Sequence, residues 1–357
     1  MLRNRLFVAM SFMAVLMAGA LHADKIAYIS KAEVKHEDSV TITDWSASKV
    51  TFKKGDATVS VDYKDVISLD RHYGTMSGAL SDALELVGSD PQGAIDALEQ
   101  VAQSGESLDK EEASIIRAQL LDNESAADSR VAPAAIKAYS TYLSNWKSGY
   151  FAREAYRGLA ALQENGNQDG AARTTLKNMI KADSSMQREG NQLLGEFEAR
   201  KAKWSDAITA FKNAQSAAKT DRDPNNEALA KAWEGWMTLK AGNAAGAKTL
   251  LESVTTDDKL DDSDTTTDEV ALSIAFPALG DAHMDAGNYQ KAYDAYVKGA
   301  YYAWWSAGSQ EGRCLGQAYV CAKKLEGTDD KWKTRKDKLR TALALGFPRI
   351  LQDVEKD

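Results

Sequence analysis

The pattern of apolar and polar positions changes near residue 72. Between residues 24 and 71, apolar residues alternate with polar ones in runs such as 39–43 and 58–63, and β-branched residues dominate these runs. Gly55-Asp56 lies between two runs and predicts a tight hairpin turn. We expect a small antiparallel sheet or half-open barrel here. Because about 45 residues bury little apolar area, we also expect it to dock on the segment that follows.

Beyond residue 73 the period becomes helical. Apolar residues recur every three or four positions, alanine is abundant, and the whole chain has only five prolines. Short polar breaks rich in glycine, asparagine and aspartate occur at 88–91, 165–167, 241–243 and 286–288. Such breaks are typical of helix ends and restarts. The intervals between them predict pairs of antiparallel helices joined by short turns.

A five-residue pattern recurs along this helical region. It begins with alanine, repeats alanine at the fourth position, and ends with a large apolar residue. Its copies, of which the third and fifth are looser, begin at Ala94, Ala135, Ala171, Ala207, Ala247 and Ala292. The steps of 41, 36, 36, 40 and 45 residues between these positions are typical of a helical solenoid.

Over about residues 75–305 the chain resembles the tetratricopeptide repeat family. The best copy contains Leu279-Gly280, Gly287-Asn288-Tyr289, Ala292 and Tyr296. A second contains Leu194-Gly195, Trp204, Ala207 and Phe211, and a third contains Gly235, Gly242-Asn243 and Ala247, with Leu251 replacing the aromatic. The long steps and the absence of a closing proline depart from the family pattern. The resemblance implies a mainly α, TPR-like solenoid of antiparallel helix pairs preceded by the β module. An alanine-rich helical bundle is the alternative.

The resemblance also implies where a partner binds. The first helix of each pair lines a concave groove, on which an extended or helical peptide can lie. The family's groove positions, counted from the Leu-Gly pair, fall on Glu196, Arg200, Trp236, Lys240, Asp281 and Asp285. Their mixed charges predict a polar groove of moderate affinity.

The N-terminus has the pattern of a secretory signal peptide. Arg3 and Arg5 precede an apolar run at 6–17, and small residues follow, with cleavage expected after Ala20 or Ala23. An uncleaved anchor is the alternative, although the run is shorter than the roughly 20 residues that span a bilayer. We therefore expect a periplasmic or secreted protein with no stable membrane insertion after cleavage.

The net charge argues against one class of partner, and the positions of the two cysteines argue against a disulfide. Removal of the two arginines changes the net charge from -8 to about -10, and an acidic chain is repelled by phosphate backbones, which argues against nucleic acid. Cys314 and Cys321 lie seven residues apart on one predicted helix, about two turns, which is too far for a disulfide between them. We expect buried free thiols.

The sequence contains no recognisable catalytic or metal-binding motif. After signal removal, His36, His72 and His283 are scattered, so we expect neither metal nor cofactor. A Ser-x-x-Lys match at 46–49 falls in a strand connection. The acidic stretch 257–269 lacks the glycine of a calcium loop and predicts a solvated loop. The basic segment 331–340, with Trp332 and Leu339, predicts a capping helix that could alternatively hold an acidic partner.

The predicted domains are a signal peptide at 1–23, a β module at 24–72, TPR-like repeats at 73–305 and capping helices at 306–357. Three functions remain open. The first is a non-catalytic scaffold that binds a protein or peptide in the groove. The second is a structural component of an envelope assembly that docks through the β module. The third is a carboxylate-dependent hydrolase of the cell wall. The aromatic group at 301–305 could form a further binding patch.

Overall fold

The computed structural model describes residues 23–356 except 31–32, 72–74, 257–268 and 306–309, and it describes Trp304 and Trp305 by their backbone alone. The predicted signal peptide up to residue 22 and nearly all of the acidic stretch therefore lie outside the described residues. The chain divides into two compact units, residues 1–168 and 169–357. The described part contains five strands and fifteen helices.

The strands form one antiparallel sheet at the start of the first unit. They are β1 (Asp24–Ser30), β2 (Glu33–Trp45), β3 (Lys49–Lys54), β4 (Ala57–Asp62) and β5 (Val66–Asp70). The order across the sheet is β4-β3-β2-β1-β5, and a single 3-10 turn joins β4 to β5. The sequence pattern did not single out β1, because Ile26, Ala27 and Tyr28 are buried in succession and hide the alternation.

The inner face of the sheet packs against the helices that follow it. Its core includes Val50 and Phe52, and the half-buried Leu108, Tyr150 and Phe151 pack against that core. The backbone N–H of Ala47 donates to the carbonyl of Ser148 at 2.9 Å. The docking expected from the small size of the β module is confirmed. The Ser-x-x-Lys match covers the connection between β2 and β3 and the first residue of β3.

The helices of the first unit are α1 (Gly78–Leu86), α2 (Pro91–Ser104), α3 (Ser107–Ala127), α4 (Ala132–Asn145) and α5 (Ala152–Asn165). Each packs against the next along the chain. The break at 88–91 is the start of α2, where Asp90 accepts a hydrogen bond from the N–H of Gly93 and Pro91 occupies the first turn. Both features are favourable only at a helix N-terminus.

The second unit contains ten helices in the described residues. They are α6 (Asp169–Ala182), α7 (Gln187–Arg200), α8 (Trp204–Asp221), α9 (Pro224–Lys240), α10 (Ala244–Thr255), α11 (Glu269–Asp285), α12 (Tyr289–Trp305), α13 (Glu311–Leu325), α14 (Asp330–Gly346) and α15 (Pro348–Lys356). Consecutive helices pack against each other, and α9 also packs against α11, the first helix of the next pair.

The recurring pattern marks the second helix of each pair, where its first alanine and its fifth residue are buried. The pairs are Ala94 and Leu98, Ala135 and Tyr139, Ala172 and Leu176, Ala207 and Phe211, Ala247 and Leu251, and Ala292 and Tyr296. The third copy thus begins at Ala172, and the assignment to Ala171 was wrong. Ala171 is half-buried, whereas Ala172 is fully buried, because the preceding turn ends one residue later than the spacing alone suggested.

The last three helices pack together at the end of the second unit. Helix α15 contacts both α13 and α14, and Trp332 and Leu339 of α14 are buried. That these helices cap the repeats remains a prediction. Cys314 and Cys321 are both buried and free on α13, which confirms the prediction. Among the described residues, no helix combines the length and the apolar character needed to cross a bilayer.

Candidate functional site

A recurring turn makes the helix pairs of the second unit comparable residue by residue. In the turn after α7, the N–H of Lys203 donates to the carbonyl of Glu198 at 2.9 Å. The same bond joins Asn243 to Thr238 and Asn288 to His283. One residue in each of these turns has a left-handed backbone, and these residues are Ala202, Gly242 and Gly287. Equivalent residues of α7, α9 and α11 can therefore be identified from the turn.

The glycine of each first helix lies against the large residue of its second helix. A Cβ added to Gly195 would lie 2.7 Å from the Phe211 ring, and one added to Gly280 would lie 2.6 Å from the Tyr296 ring. Gly235 stands in the same relation to Leu251, at 2.8 Å. These contacts are the physical basis of the pattern that suggested the repeat, because the helices could not approach so closely with a larger residue.

The six predicted groove residues lie one and five positions after those glycines. Residues four apart on a helix share a face, so they form two rows across α7, α9 and α11. The inner row is Glu196, Trp236 and Asp281, all half-buried. The outer row is Arg200, Lys240 and Asp285, all exposed. Whether a partner contacts these rows remains a prediction.

Two members of the inner row already have partners in the fold. Asp281 accepts hydrogen bonds from the Tyr296 hydroxyl at 2.7 Å and from the Arg313 guanidinium at 2.6 and 2.7 Å. Glu196 accepts one from the Gln192 amide at 2.9 Å. The positive charge of Arg313 therefore compensates the negative charge of Asp281. No sequence signal linked these two residues, because they are 32 positions apart on different helices.

The third member, Trp236, belongs to a stack of three rings. Phe211 and Trp233 stack with centroids 5.6 Å apart and an interplanar angle of 11°, and Trp233 and Trp236 stack at 5.2 Å and 24°. Trp236 Nε1 is enclosed and has no hydrogen-bond partner. The spacing of the two tryptophans was visible in the sequence, but the contribution of Phe211 from α8 was not. The stack holds the Trp236 ring in place, between Glu196 and Asp281 in the inner row.

The polar residues that begin each turn are buried, and they support the fold. Glu198 pairs with Arg173 of α6. His283 is buried on α11, and burial, followed by the charges of Lys248 and Lys291, lowers its pKa. A histidine that is buried and kept neutral in this way is an ordinary core residue.

A second group of buried charges lies in the first unit, between the sheet and α3. The Arg71 guanidinium pairs with Asp109 at 2.9 Å and with Glu112 at 2.7 Å, and the side chains of Arg71 and Asp109 are only 5% and 3% exposed. Burial raises the pKa of Glu112 to about 7, against the attraction of Arg71. The neighbouring Glu111 accepts hydrogen bonds from Trp45 Nε1 at 2.8 Å and from the Tyr142 hydroxyl at 2.6 Å.

This group is the nearest match to the carboxylates and aromatic rings that the hydrolase hypothesis requires. Its oxygens, however, are engaged in holding the sheet to the helices. Glu111 also accepts hydrogen bonds from the backbone of Tyr150 and Phe151, and burial raises its pKa. Within the described ranges, no three His, Cys, Asp or Glu side chains are grouped so as to hold a metal ion.

The aromatic group of α12 and the basic helix α14 are the other two candidate surfaces. Tyr301 is 48% exposed, whereas Tyr302 is buried and stacks on Phe276, so α12 does not bury its aromatic group on one face. The side chains of Trp304 and Trp305 lie outside the described residues. On the basic helix α14, Lys336 pairs with Glu326 and Arg340 with Glu355. These two ion pairs compensate part of the positive charge of α14 within the chain itself.

No protein-family model matches the sequence, and neither does any curated protein. Solved structures do match. The C-terminal part of a TPR repeat-containing protein from Cytophaga hutchinsonii aligns with a TM-score of 0.50 and 15% identity, covering 77% of this chain and 98% of that one. The apo form of the quorum sensor NprR from B. thuringiensis aligns with a TM-score of 0.50 and 16% identity, covering 78% of this chain and 79% of that one.

A third structure has the same degree of similarity. A signal transduction ATPase with a tetratricopeptide repeat sensor, from Pyrococcus horikoshii, aligns with a TM-score of 0.50 and 13% identity, covering 82% of this chain and 51% of that one. At these identities the likeness concerns the fold alone. Together with the recurring turn and the glycine contacts, it confirms the predicted fold, which is a TPR-like arrangement of helix pairs preceded by an antiparallel β module.

Proposed function

We propose that this chain is a non-catalytic scaffold that binds an extended or helical segment of a partner protein on the first helices of the second unit. The observation that carries the proposal is the pair of rows on α7, α9 and α11. The rows combine exposed charge of both signs with a fixed aromatic stack. Interfaces concentrate binding energy in such aromatic anchors and use surrounding charges for orientation.

The outer row suggests the chemistry of the partner. Arg200 and Lys240 are positive and exposed at the ends of α7 and α9, and Asp285 is negative at the end of α11. A bound segment that complements this row carries acidic residues opposite the first two positions and a basic residue opposite the third. An apolar side chain between them would meet the ring of Trp236. The expected binding is polar and of moderate affinity.

The fold is consistent with this role but does not specify it, because one fold supports many functions. NprR, whose apo form has a similar fold, also forms a complex with its cognate peptide NprX. We extend only the general idea of peptide binding to the present chain. We further propose that the chain acts in the bacterial envelope or outside the cell, on the basis of the signal-like pattern at residues 1–23.

The test is selection of displayed peptides by the chain from Asp24 onwards, followed by affinity measurement by calorimetry. We expect peptides enriched in acidic residues, with an affinity that falls at least tenfold in Arg200→Glu with Lys240→Glu. The matched control is Lys177→Glu with Lys219→Glu. It makes the same charge change at exposed positions of the second helices α6 and α8.

Equal loss of binding in both double variants would show a general charge effect and contradict the assigned surface. Selection of no peptide, or of peptides whose binding the first variant leaves unchanged, would also contradict it. Those results would turn attention to the β module and to the aromatic end of α12.

A further inference from the structure

One edge strand of the β module, β4, is regular along its whole length. On its outer side, β4 pairs with no described strand. All six of its residues pair with β3 without a shift of register, whereas each of the other three strand pairs contains a shift. Proteins protect edge strands from pairing with proline, lysine or bulges. Strand β4, with the sequence Ala-Thr-Val-Ser-Val-Asp, has none of these.

The hairpin turn determines which backbone groups of β4 point outwards. Gly55, with φ +60°, opens a two-residue turn that Lys54 and Ala57 close. In such a hairpin the closing pair exchanges both backbone hydrogen bonds, and bonded and non-bonded pairs then alternate. The residues in non-bonded positions, whose N–H and C=O groups point away from β3, are Thr58, Ser60 and Asp62. These three residues are also exposed.

We propose that β4 pairs antiparallel with β4 of a second copy of this chain, about a twofold axis that passes midway between the two Ser60 residues. In this register Ser60 faces its symmetry mate, and Thr58 faces the partner's Asp62. The three outward-pointing positions of one strand then meet the three of the other, so every outward N–H and C=O of these residues can be bonded. A shift by one residue would leave them unmatched.

The same register also matches the side chains. Val59, which is half-buried, faces the partner's Val61, which is buried, so the apolar side of one sheet continues into the next. No charged residue of β4 faces a like charge, because the only charged side chain, Asp62, lies opposite threonine. A twofold contact of this kind closes on itself and uses each favourable pair twice. These features favour a second copy over an unrelated strand.

The test is sedimentation equilibrium of the chain from Asp24 onwards, without the apolar N-terminal run, which could associate by itself. We expect a reversible dimer. Thr58→Asp places a carboxylate opposite the partner's Asp62 at both ends of the contact. We expect the dissociation constant of the dimer to increase roughly tenfold. Thr58→Lys places an ammonium group there and should tighten the dimer.

The matched control is Thr43→Asp. It makes the same change at an exposed position of β2, which is not an edge strand, and should leave the dimer unchanged. A chain that remains monomeric at every concentration would overturn the proposal. So would a dimer that Thr58→Asp and Thr58→Lys affect equally or not at all, since it would be held together elsewhere. Far-ultraviolet circular dichroism of each variant verifies that the sheet is intact.

Discussion

At the scale of single residues, the turns of the second unit depend on a left-handed backbone conformation. Gly242 and Gly287 adopt it after α9 and α11, where the sequence reads Ala-Gly-Asn and predicts such a turn. After α7 the same conformation falls on Ala202, in the sequence Lys-Ala-Lys, with φ +54°. No residue there signals a turn, so sequence reasoning missed this helix end.

The first prediction is that Ala202→Gly stabilises the protein. A left-handed conformation costs alanine roughly 1–2 kcal/mol, whereas the greater freedom of glycine in the unfolded chain costs about 0.5–1 kcal/mol. We therefore expect the free energy of unfolding to rise by up to about 1 kcal/mol, measured by urea denaturation.

The reverse substitution at the equivalent turn is the matched control. Gly242 has φ +89°, and a Cβ added there meets no atom within 4 Å, so Gly242→Ala introduces no clash and reverses the same two backbone effects. It should lower the free energy of unfolding by a similar amount. If both substitutions shift stability in the same direction, the turns are not equivalent and the assignment of repeats is wrong.

At the scale of elements, each helix pair is held by a close approach of glycine to a large residue. The pattern of glycine on one helix and alanine with an aromatic on the next was legible in the sequence, because residue size alone limits how near two helices can come. The sequence also showed that the steps between copies, at 36–45 residues, are long for the family. The one-residue displacement of the third copy was not, since two alanines stand side by side at 171–172.

The second prediction concerns Gly280, whose added Cβ would lie 2.6 Å from the Tyr296 ring. Gly280→Ala should destabilise the protein by about 1–3 kcal/mol, because the α11–α12 pair must open to admit a methyl group. Thermal denaturation with calorimetric detection is the measurement.

Gly170→Ala is the control for helix propensity. It makes the same change on α6 at a position where a Cβ meets nothing within 4 Å, and alanine should raise stability by up to about 1 kcal/mol. A loss of stability in Gly170→Ala, or none in Gly280→Ala, would refute the role given to the close contact.

At the scale of the whole molecule, the β module is held to α3 by buried charges. Arg71, directly after β5, pairs with both Asp109 and Glu112. Its guanidinium carbon also lies over the Trp45 ring, 5.5 Å from the ring centroid, and this contact adds to the attachment. Removing one member of a buried ionic group leaves its partners buried and uncompensated, which costs more than the group contributes when intact.

The third prediction is that Arg71→Ala destabilises the first unit by about 3–5 kcal/mol. In native-state hydrogen exchange, the amides of residues 24–168 should exchange faster, while those of residues 169–356 should keep their protection, because the two units are separately compact.

Arg130→Ala provides the comparison. Its ion pair with Asp128 is exposed, with 89% of the arginine side chain accessible, and such pairs contribute about 0–1 kcal/mol. Faster exchange throughout the chain in Arg71→Ala, or equal effects of the two substitutions, would contradict the assignment of Arg71 to the attachment of the β module.

The sequence by itself determined the periods, and hence the β module and the helix pairs, because burial of one face imposes period two on strands and 3.6 on helices. The TPR-type fold followed from the resemblance carried by the recurring glycine, alanine and aromatic positions. It also placed the candidate rows, which remain to be tested. Only the tertiary structure decided which row members are engaged: Asp281 pairs with Arg313, and Phe211 of α8 extends the stack of Trp236 by packing on Trp233. It also decided that Ala202 forms a turn and that Arg71 meets Asp109. These contacts join residues far apart in the chain or depend on strain that neighbouring helices impose, so no local pattern encodes them.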